Sequence, residues 1–242
     1  MQQRILAFSS SRSGNSAYLE TATPVINDFL NDPAATIAFI PFASAADDHE
    51  AYTAKVRAAL PGTYNIITVT HDNASAVIAA ADVIMVGGGN TFKLLHDLYV
   101  TGTLELIQQK VNGGTPYIGW SAGSNITGAT ICTTNDMPII NPGSFDALDF
   151  FPFQVNPHYY NVSVPGFNGE TRDQRLEEFL QLNPNVPIIA LPEGTALLLQ
   201  NGYLQLTGNT AAFVLRYTTN MLMKTVVEPG EDLGYLNGNQ KM

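Results

Sequence analysis

Five short runs of nearly uninterrupted apolar residues, at 5–8, 36–41, 64–69, 83–86 and 117–120, set the strongest limit on how this chain can fold. A strand that is apolar on both faces has to be covered on both faces, as strands inside a parallel sheet are. Helix-length amphipathic segments at 18–30, 50–60, 74–81 and 103–111 lie between the runs. This alternation predicts an α/β fold: a doubly wound, mostly parallel sheet with helices on both faces. Hydrophobic residues make up 45% of the 242 positions, enough for one large core, and no linker or repeat divides the chain. A single domain over 1–242 is therefore expected.

The pattern changes after Gly143. Aromatic, Pro and Gly residues crowd 145–167, which reads as a long loop, followed by an expected helix at 172–182 and a buried strand at 186–191. Runs at 197–200, 203–207 and 211–217, separated by Asn-Gly and Gly-Asn turns, predict a short antiparallel C-terminal part.

Charge narrows the function. A formal net charge of −10 with only eleven Lys and Arg leaves no basic face for phosphates, so nucleic acid is excluded as a partner. No apolar stretch approaches the roughly 20 residues of a membrane span, and the N-terminal apolar run is too short for a signal peptide. The single cysteine, Cys132, cannot close an internal disulfide, and a cytoplasmic location is expected. The four histidines show no H-x-x-x-H spacing and one cysteine builds no thiolate site, so neither a metal nor another cofactor is expected. Nothing in the sequence speaks against a homodimer.

Open α/β sheets carry their sites at the carboxyl ends of the strands. The residues to weigh are therefore those at 9–11, 42–44, 87–91, 121–124 and 192–194. Among them Gly119-Trp120-Ser121-Ala122-Gly123 is a G-x-S-x-G directly after a buried strand. Small flanking residues permit the sharp turn that pushes a nucleophilic hydroxyl out of the sheet, and the helix expected near Ser124 would aim free N–H groups at it. The Ala122 N–H is then one oxyanion donor. Gly87-Gly88-Gly89-Asn90-Thr91 follows another buried strand; an N–H from this loop, Gly89 for preference, would be the second, with Thr91 capping the next helix. A plain tight turn and a phosphate cradle are the other readings of this loop, though it lacks the G-K-[ST] of a P-loop.

A serine nucleophile needs a base. His49 sits at a helix start and His96 among helical residues; spacing leaves His158, in Asn156-Pro157-His158, and His71, at a strand end, both open. The third member has two candidates, Glu193 in Leu191-Pro192-Glu193-Gly194 and Asp136 ahead of Met137-Pro138.

Taken together, IPFASA at 40–45, VGGGNTFKLL at 86–95, YIGWSAGSN at 117–125, TTNDMPI at 133–139, NPH at 156–158, GETRDQR at 169–175 and LPEG at 191–194 resemble the dipeptidase E family, the α-aspartyl dipeptidases. The seven stretches keep the family's order and spacing. The resemblance implies a fold like the class I glutamine amidotransferases with serine in place of cysteine, and hydrolysis of small peptides with N-terminal aspartate. It makes Ser121 the nucleophile and His158 the base. It supports Glu193 by spatial role and Asp136 by assignment to a charge relay, and Glu193 is preferred here. Arg172 is the partner it implies for the aspartyl carboxylate, with Arg175 a weaker candidate, and Asn90 a contact for the substrate backbone. The alternative for Arg172 is a surface ion pair with Glu170 or Glu177. The aromatic stretch 151–167 would wall off larger peptides. Cys132 and Ser124 stand where similar bacterial sequences often carry arginine and alanine. Two alternatives remain: a cyanophycinase-like hydrolase of arginyl-polyaspartate on the same serine, and a non-catalytic anion- or nucleotide-binding module built on the glycine loop.

Overall fold

A computed structural model describes residues 2–46, 48–60, 62, 64–163, 165–166 and 168–236. Its first half alternates as the apolar runs require: β1 (Ile5–Phe8), α1 (Thr23–Leu30), β2 (Thr36–Ile40), α2 (His49–Ala59), β3 (Asn65–Thr68), α3 (Ala74–Ala80), β4 (Val83–Val86), α4 (Thr91–Val100), α5 (Leu104–Asn112), β5 (Tyr117–Trp120) and the one-turn α6 (Ala122–Asn125). The rest comprises β6 (Gln154–Asn156), α7 (Arg172–Leu182), β7 (Ile188–Ala190), β8 (Thr195–Gln200), β9 (Tyr203–Gly208), β10 (Ala212–Thr218), β11 (Met221–Val227) and a 3-10 turn at Gly234–Leu236.

The strands form two sheets. The larger runs β3-β2-β4-β5-β1-β8-β9. Its first five strands are parallel, while β8 and β9 join antiparallel on the β1 side. The smaller runs β11-β10-β7-β6, with β6 and β7 parallel and the other pairs antiparallel.

Alternation along each central strand feeds two cores. Leu6, Phe8, Ile37, Phe39, Met85 and Trp120 face α1 and α2, where Ile26, Phe29 and Val56 close over them. Ile5, Ala38, Ile40, Ile84 and Val86 face α3, α4 and α5. That second core continues into Val155, Ile189 and Val214 of the smaller sheet, so the two sheets share apolar packing on one side. The far face of the smaller sheet takes α7 through Leu176 and Leu180.

The structure corrects four expectations. The first helix begins at Thr23, not residue 18: Pro24 in its first turn lacks an N–H and its ring disfavours a preceding helical turn, and Leu19 already sits at φ 55°. The crowded stretch 145–167 contains a strand, β6, whose Gln154 and Asn156 are buried polar residues rather than the apolar alternation that announces a strand. The strand expected at 186–191 is shorter, Ile188–Ala190, and lies in the smaller sheet. The last strand, β11, has mostly exposed side chains and no core-facing period to read. Phe167, the end of the expected aromatic wall, lies outside the described residues. Among the described residues no helix is long and apolar enough to cross a membrane.

Phe39 is fully buried, stacked on Trp120 at 5.8 Å between centroids and edge-on to Tyr52 at 5.1 Å. Phe39→Ala should lower stability by about 3–5 kcal/mol, because the lost ring leaves a cavity in a close-packed layer. Urea and thermal midpoints will show this; a change within about 0.5 kcal/mol would mean this layer is not the core described.

Candidate active site

Ser121 stands at the end of β5, the middle strand of the larger sheet, with φ 55° and ψ −115°, a conformation L-residues rarely adopt. The flanking glycines explain how the turn is tolerated. A Cβ on Gly119 would lie 2.5 Å from the Gly123 carbonyl oxygen, and one on Gly123 would lie 2.4 Å from that of Val86. The Ser121 carbonyl accepts from the N–H groups of Ser124 and Asn125, both at 2.9 Å, and so starts α6 immediately. The helix thus begins at Ala122, two residues earlier than expected. Ser124 is buried and donates to the Phe8 carbonyl at 2.6 Å, tying this turn to β1.

His158 and Glu193 come from the other sheet. β6 and β7 lie parallel, with Asn156 opposite Ala190, so the chain leaving each strand emerges on the same edge. Two residues beyond Asn156 is His158; three beyond Ala190 is Glu193. The His158 Nε2 lies 3.0 Å from Ser121 Oγ, and its Nδ1 lies 2.8 Å from Glu193 Oε1. His158 has φ 52° and is held by its backbone: its N–H donates to Ser9 Oγ at 2.9 Å, and Ser9 donates to the Leu191 carbonyl at 2.7 Å. Ser9 was not singled out as a functional residue in the sequence; its position directly after β1 is the signal that points to it.

His71 is elsewhere, with its Nε2 3.2 Å from Asp97 and its ring against Phe42, and His96 Nδ1 meets the Asn141 carbonyl at 3.1 Å. Asp136 lines the same cavity as Ser121 but is bonded away from His158. Its Oδ2 accepts from the Thr91 N–H at 2.7 Å, the Thr91 hydroxyl at 2.6 Å and the Thr134 hydroxyl at 3.2 Å. A carboxylate there sits against the positive end of α4. Next to it, Asn135 donates to the Pro157 carbonyl at 2.7 Å and accepts from Asn156 at 2.7 Å, joining this loop to the segment that carries His158.

The glycine loop packs directly on the elbow. A Cβ on Gly88 would lie 2.8 Å from Ser121 Cβ, and Gly89, at φ +141°, has its α-carbon so close to the Ala43 carbonyl that a Cβ would meet the oxygen at 2.2 Å. The loop's Gly87 and Asn90 N–H groups already donate to Ile40 and Ala43 carbonyls at 3.0 and 2.8 Å, which leaves little of a phosphate nest. Thr91, expected to cap α4, is its first residue. Asn90 is the cap: its Oδ1 accepts from the Lys93 N–H at 3.1 Å and its Nδ2 donates to the Met137 carbonyl at 2.8 Å. Its side-chain amide is therefore committed to the protein, not free for a substrate backbone.

Ser121, His158, Asp136, Thr91, Thr134 and Arg172 line a cavity of about 240 Å³. Arg172 is the first residue of α7, placed by a capping box in which Thr171 and Gln174 satisfy each other's backbone N–H groups. It has no ion-pair partner among the described residues; Glu170 pairs instead with Arg175, at 3.6 Å. Burial pushes the Arg172 guanidinium below its usual range, with repulsion from Arg175 adding to the effect and Tyr159 and Asp136 opposing it. A partly buried cation that lacks a counter-ion is poised for an anionic ligand. Cys132 is exposed and lines a separate depression with Arg175 and Glu178.

Ser121, His158 and Glu193 thus form a hydroxyl–imidazole–carboxylate chain beside a cavity that carries Arg172. The profile of peptidase family S51 matches residues 5–207. A peptidase E of Shewanella denitrificans is 49% identical over 211 residues, covering 86% of this chain and 89% of the relative. A peptidase E of Haemophilus influenzae is 46% identical over 217 residues, covering 88% of this chain and all of the relative. Among solved structures, a peptidase from an acI-B1 actinobacterium superposes with a TM-score of 0.68 at 17% identity, covering 96% of this chain and 97% of that one, a likeness of fold.

Gly89→Ala should melt at lower temperature, by about 1–3 kcal/mol of stability, and slow labelling of Ser121 by a fluorophosphonate probe about tenfold or more. Gly143→Ala is the control, since its φ is +89° but no atom stands within 4 Å of the added Cβ. It should label at the wild-type rate; equal slowing in both variants would show that loop strain, not the elbow, is being read.

Proposed function

The chain belongs to peptidase family S51 and is a serine peptidase, and from that premise we propose that Ser121, His158 and Glu193 act as its nucleophile, base and orienting carboxylate on peptides that begin with aspartate. The observation that carries this reading is the continuous chain of contacts from Glu193 Oε1 through the imidazole to Ser121 Oγ, at 2.8 and 3.0 Å. As Oγ attacks the aspartyl carbonyl, His158 Nε2 takes its proton and Glu193 stabilises the resulting cation through Nδ1–H. The Ala122 and Gly89 N–H groups receive the oxyanion. The imidazolium then returns the proton to the departing amine, leaving an aspartyl ester on Ser121. Water, deprotonated by the same imidazole, releases aspartate and restores the serine.

Substrate choice rests on Arg172. A guanidinium binds a carboxylate with two parallel hydrogen bonds, which an ammonium does not reproduce. The cavity that Arg172 lines is about 240 Å³, a small space suited to a short side chain. Asp136 keeps Oδ1 unbonded among the described residues, a negative charge on the same wall for the substrate's terminal ammonium. Peptidase chemistry is favoured by this family over the polyaspartate-hydrolase and nucleotide-module alternatives. A cytoplasmic place of action, where a lone thiol stays reduced, completes the reading.

Ser121→Ala should abolish turnover of Asp-Leu with the thermal melt nearly unchanged, and Arg172→Lys should reduce kcat/KM on Asp-Leu at least about tenfold while sparing Ala-Leu or Asn-Leu. Equal loss on charged and neutral substrates would remove Arg172 from recognition. The two acids separate by kinetics. Glu193→Gln should lower kcat by about 10²–10⁴ with KM little changed, as loss of an orienting carboxylate does. Asp136→Asn should raise KM and soften the melt, and a larger kcat loss there than in Glu193→Gln would reverse the assignment.

A further inference from the structure

On the other side of the glycine loop lies a second and larger concavity of about 1210 Å³. It is lined by the segments that follow β1, β2 and β4 together with α2. The order β2-β4-β5-β1 puts the loops after β4 and β1 on either flank of the Ser121 turn. Gly88 belongs to the wall of this groove and also packs against Ser121, while Thr91, three residues on, faces the Arg172 cavity. The elbow therefore stands between two spaces of different size and different lining.

The groove's chemistry is unlike the rest of the surface. The chain has 21 acidic residues and 11 Lys and Arg, yet the groove carries Arg12 and Lys55 against one carboxylate, Asp48. Asp48 Oδ1 is taken by the Ala51 N–H as the cap of α2, at 2.9 Å. Arg12 and Lys55 have no ion-pair partner among the described residues. Between them the wall is apolar and neutral, made of alanines of α2 and of the segment after β2, with the rings of Tyr18 and Tyr52. Burial pushes both phenols above their usual range, so neither brings negative charge. Tyr52 donates to the Gly88 carbonyl at 3.0 Å and accepts from Trp120 Nε1 at 3.2 Å, which fixes this wall to the loop beside the nucleophile.

With the aspartyl half in the Arg172 cavity, the second space beside the Ser121 turn is this groove, which leaves it open to the amine half. We infer that this groove is the leaving-group subsite, in which Arg12 and Lys55 bind the free carboxylate of the second residue and the Tyr18–Tyr52 wall receives its side chain. This rests on the aspartyl-peptidase reading above and explains how one site would favour dipeptides: the cations reward a carboxylate one residue beyond the scissile bond. The groove is too roomy to select by fit, so it selects by charge and tolerates bulky leaving residues.

The test compares Asp-Leu with Asp-Leu amide, which differ only in the terminal charge. Wild type should prefer the free acid by about tenfold or more in kcat/KM, chiefly through KM, as expected for one or two charge-assisted hydrogen bonds. Arg12→Gln combined with Lys55→Gln should remove that preference by raising KM on the acid alone, and Arg12→Lys should restore part of it. Lys55→Gln by itself, on an exposed face of α2, gives the same reading in part should the double variant melt early. Turnover of both substrates without a preference in wild type, or an equal loss on both in the variants, overturns the subsite. No turnover of either by wild type that still labels at Ser121 instead marks failure of the aspartyl reading, and the subsite falls with it.

Discussion

Buried hydrogen bonds join the two halves of this site, and the Ser9 hydroxyl makes two of them. Ser121 follows a strand of the larger sheet and His158 and Glu193 follow strands of the smaller one, and Ser9 is bonded just beyond both of those strands: it donates to the Leu191 carbonyl at 2.7 Å and accepts from the His158 N–H at 2.9 Å. Ser9 is fully buried, so losing it would leave a backbone donor and an acceptor without water to replace it. Shared apolar packing through Val155, Ile189 and Val214 brings the sheets together without fixing their register. Directional bonds at Ser9, together with one from Asn125 Nδ2 of α6 to the Val155 carbonyl of β6 at 2.7 Å, turn that loose attraction into a 3.0 Å approach between imidazole and hydroxyl.

The larger sheet was legible because burial on both faces writes a near-continuous apolar run, which tolerates no other reading over four to six residues. The smaller sheet was not. β6 carries Gln154 and Asn156, whose amides serve its neighbours: Asn156 donates to the Thr133 carbonyl at 2.8 Å and to Asn135 at 2.7 Å. Those contacts are to residues about twenty positions away, which no local period encodes. The same limit applied to the base. Spacing left His71 and His158 open, because what separates them is that β6 and β7 end side by side; the resemblance settled on His158 where periodicity had no means to. Asn90 shows the opposite failure. A polar residue beside a nucleophile suggests substrate contact, but at the start of a helix its amide is worth more as a cap.

Two carboxylates beside one serine are separated by what they accept. Asp136 takes three hydrogen bonds at the head of α4, from groups that stay neutral throughout. Glu193 faces an imidazole that changes charge during the reaction. Only a carboxylate of the second kind gains interaction energy as the transition state forms, which is the requirement for catalysis rather than binding. Asp136 is better suited to a fixed charge. In a protein this acidic, setting that charge against Arg172 gives the cavity wall one group of each sign.

The strain at the centre follows from the same economy. Ser121 and His158 both sit at positive φ, 55° and 52°, where a non-glycine residue costs on the order of 1–3 kcal/mol. Neither conformation is local in origin. Gly88 packs against the serine side chain, the absence of a Cβ at Gly119 and Gly123 lets the turn close, and Ser9 with the Leu191 strand end holds the histidine backbone. Glu193, His158 and Ser121 already lie within hydrogen-bond distance of one another, so the alignment that the proposed reaction needs is set in folding.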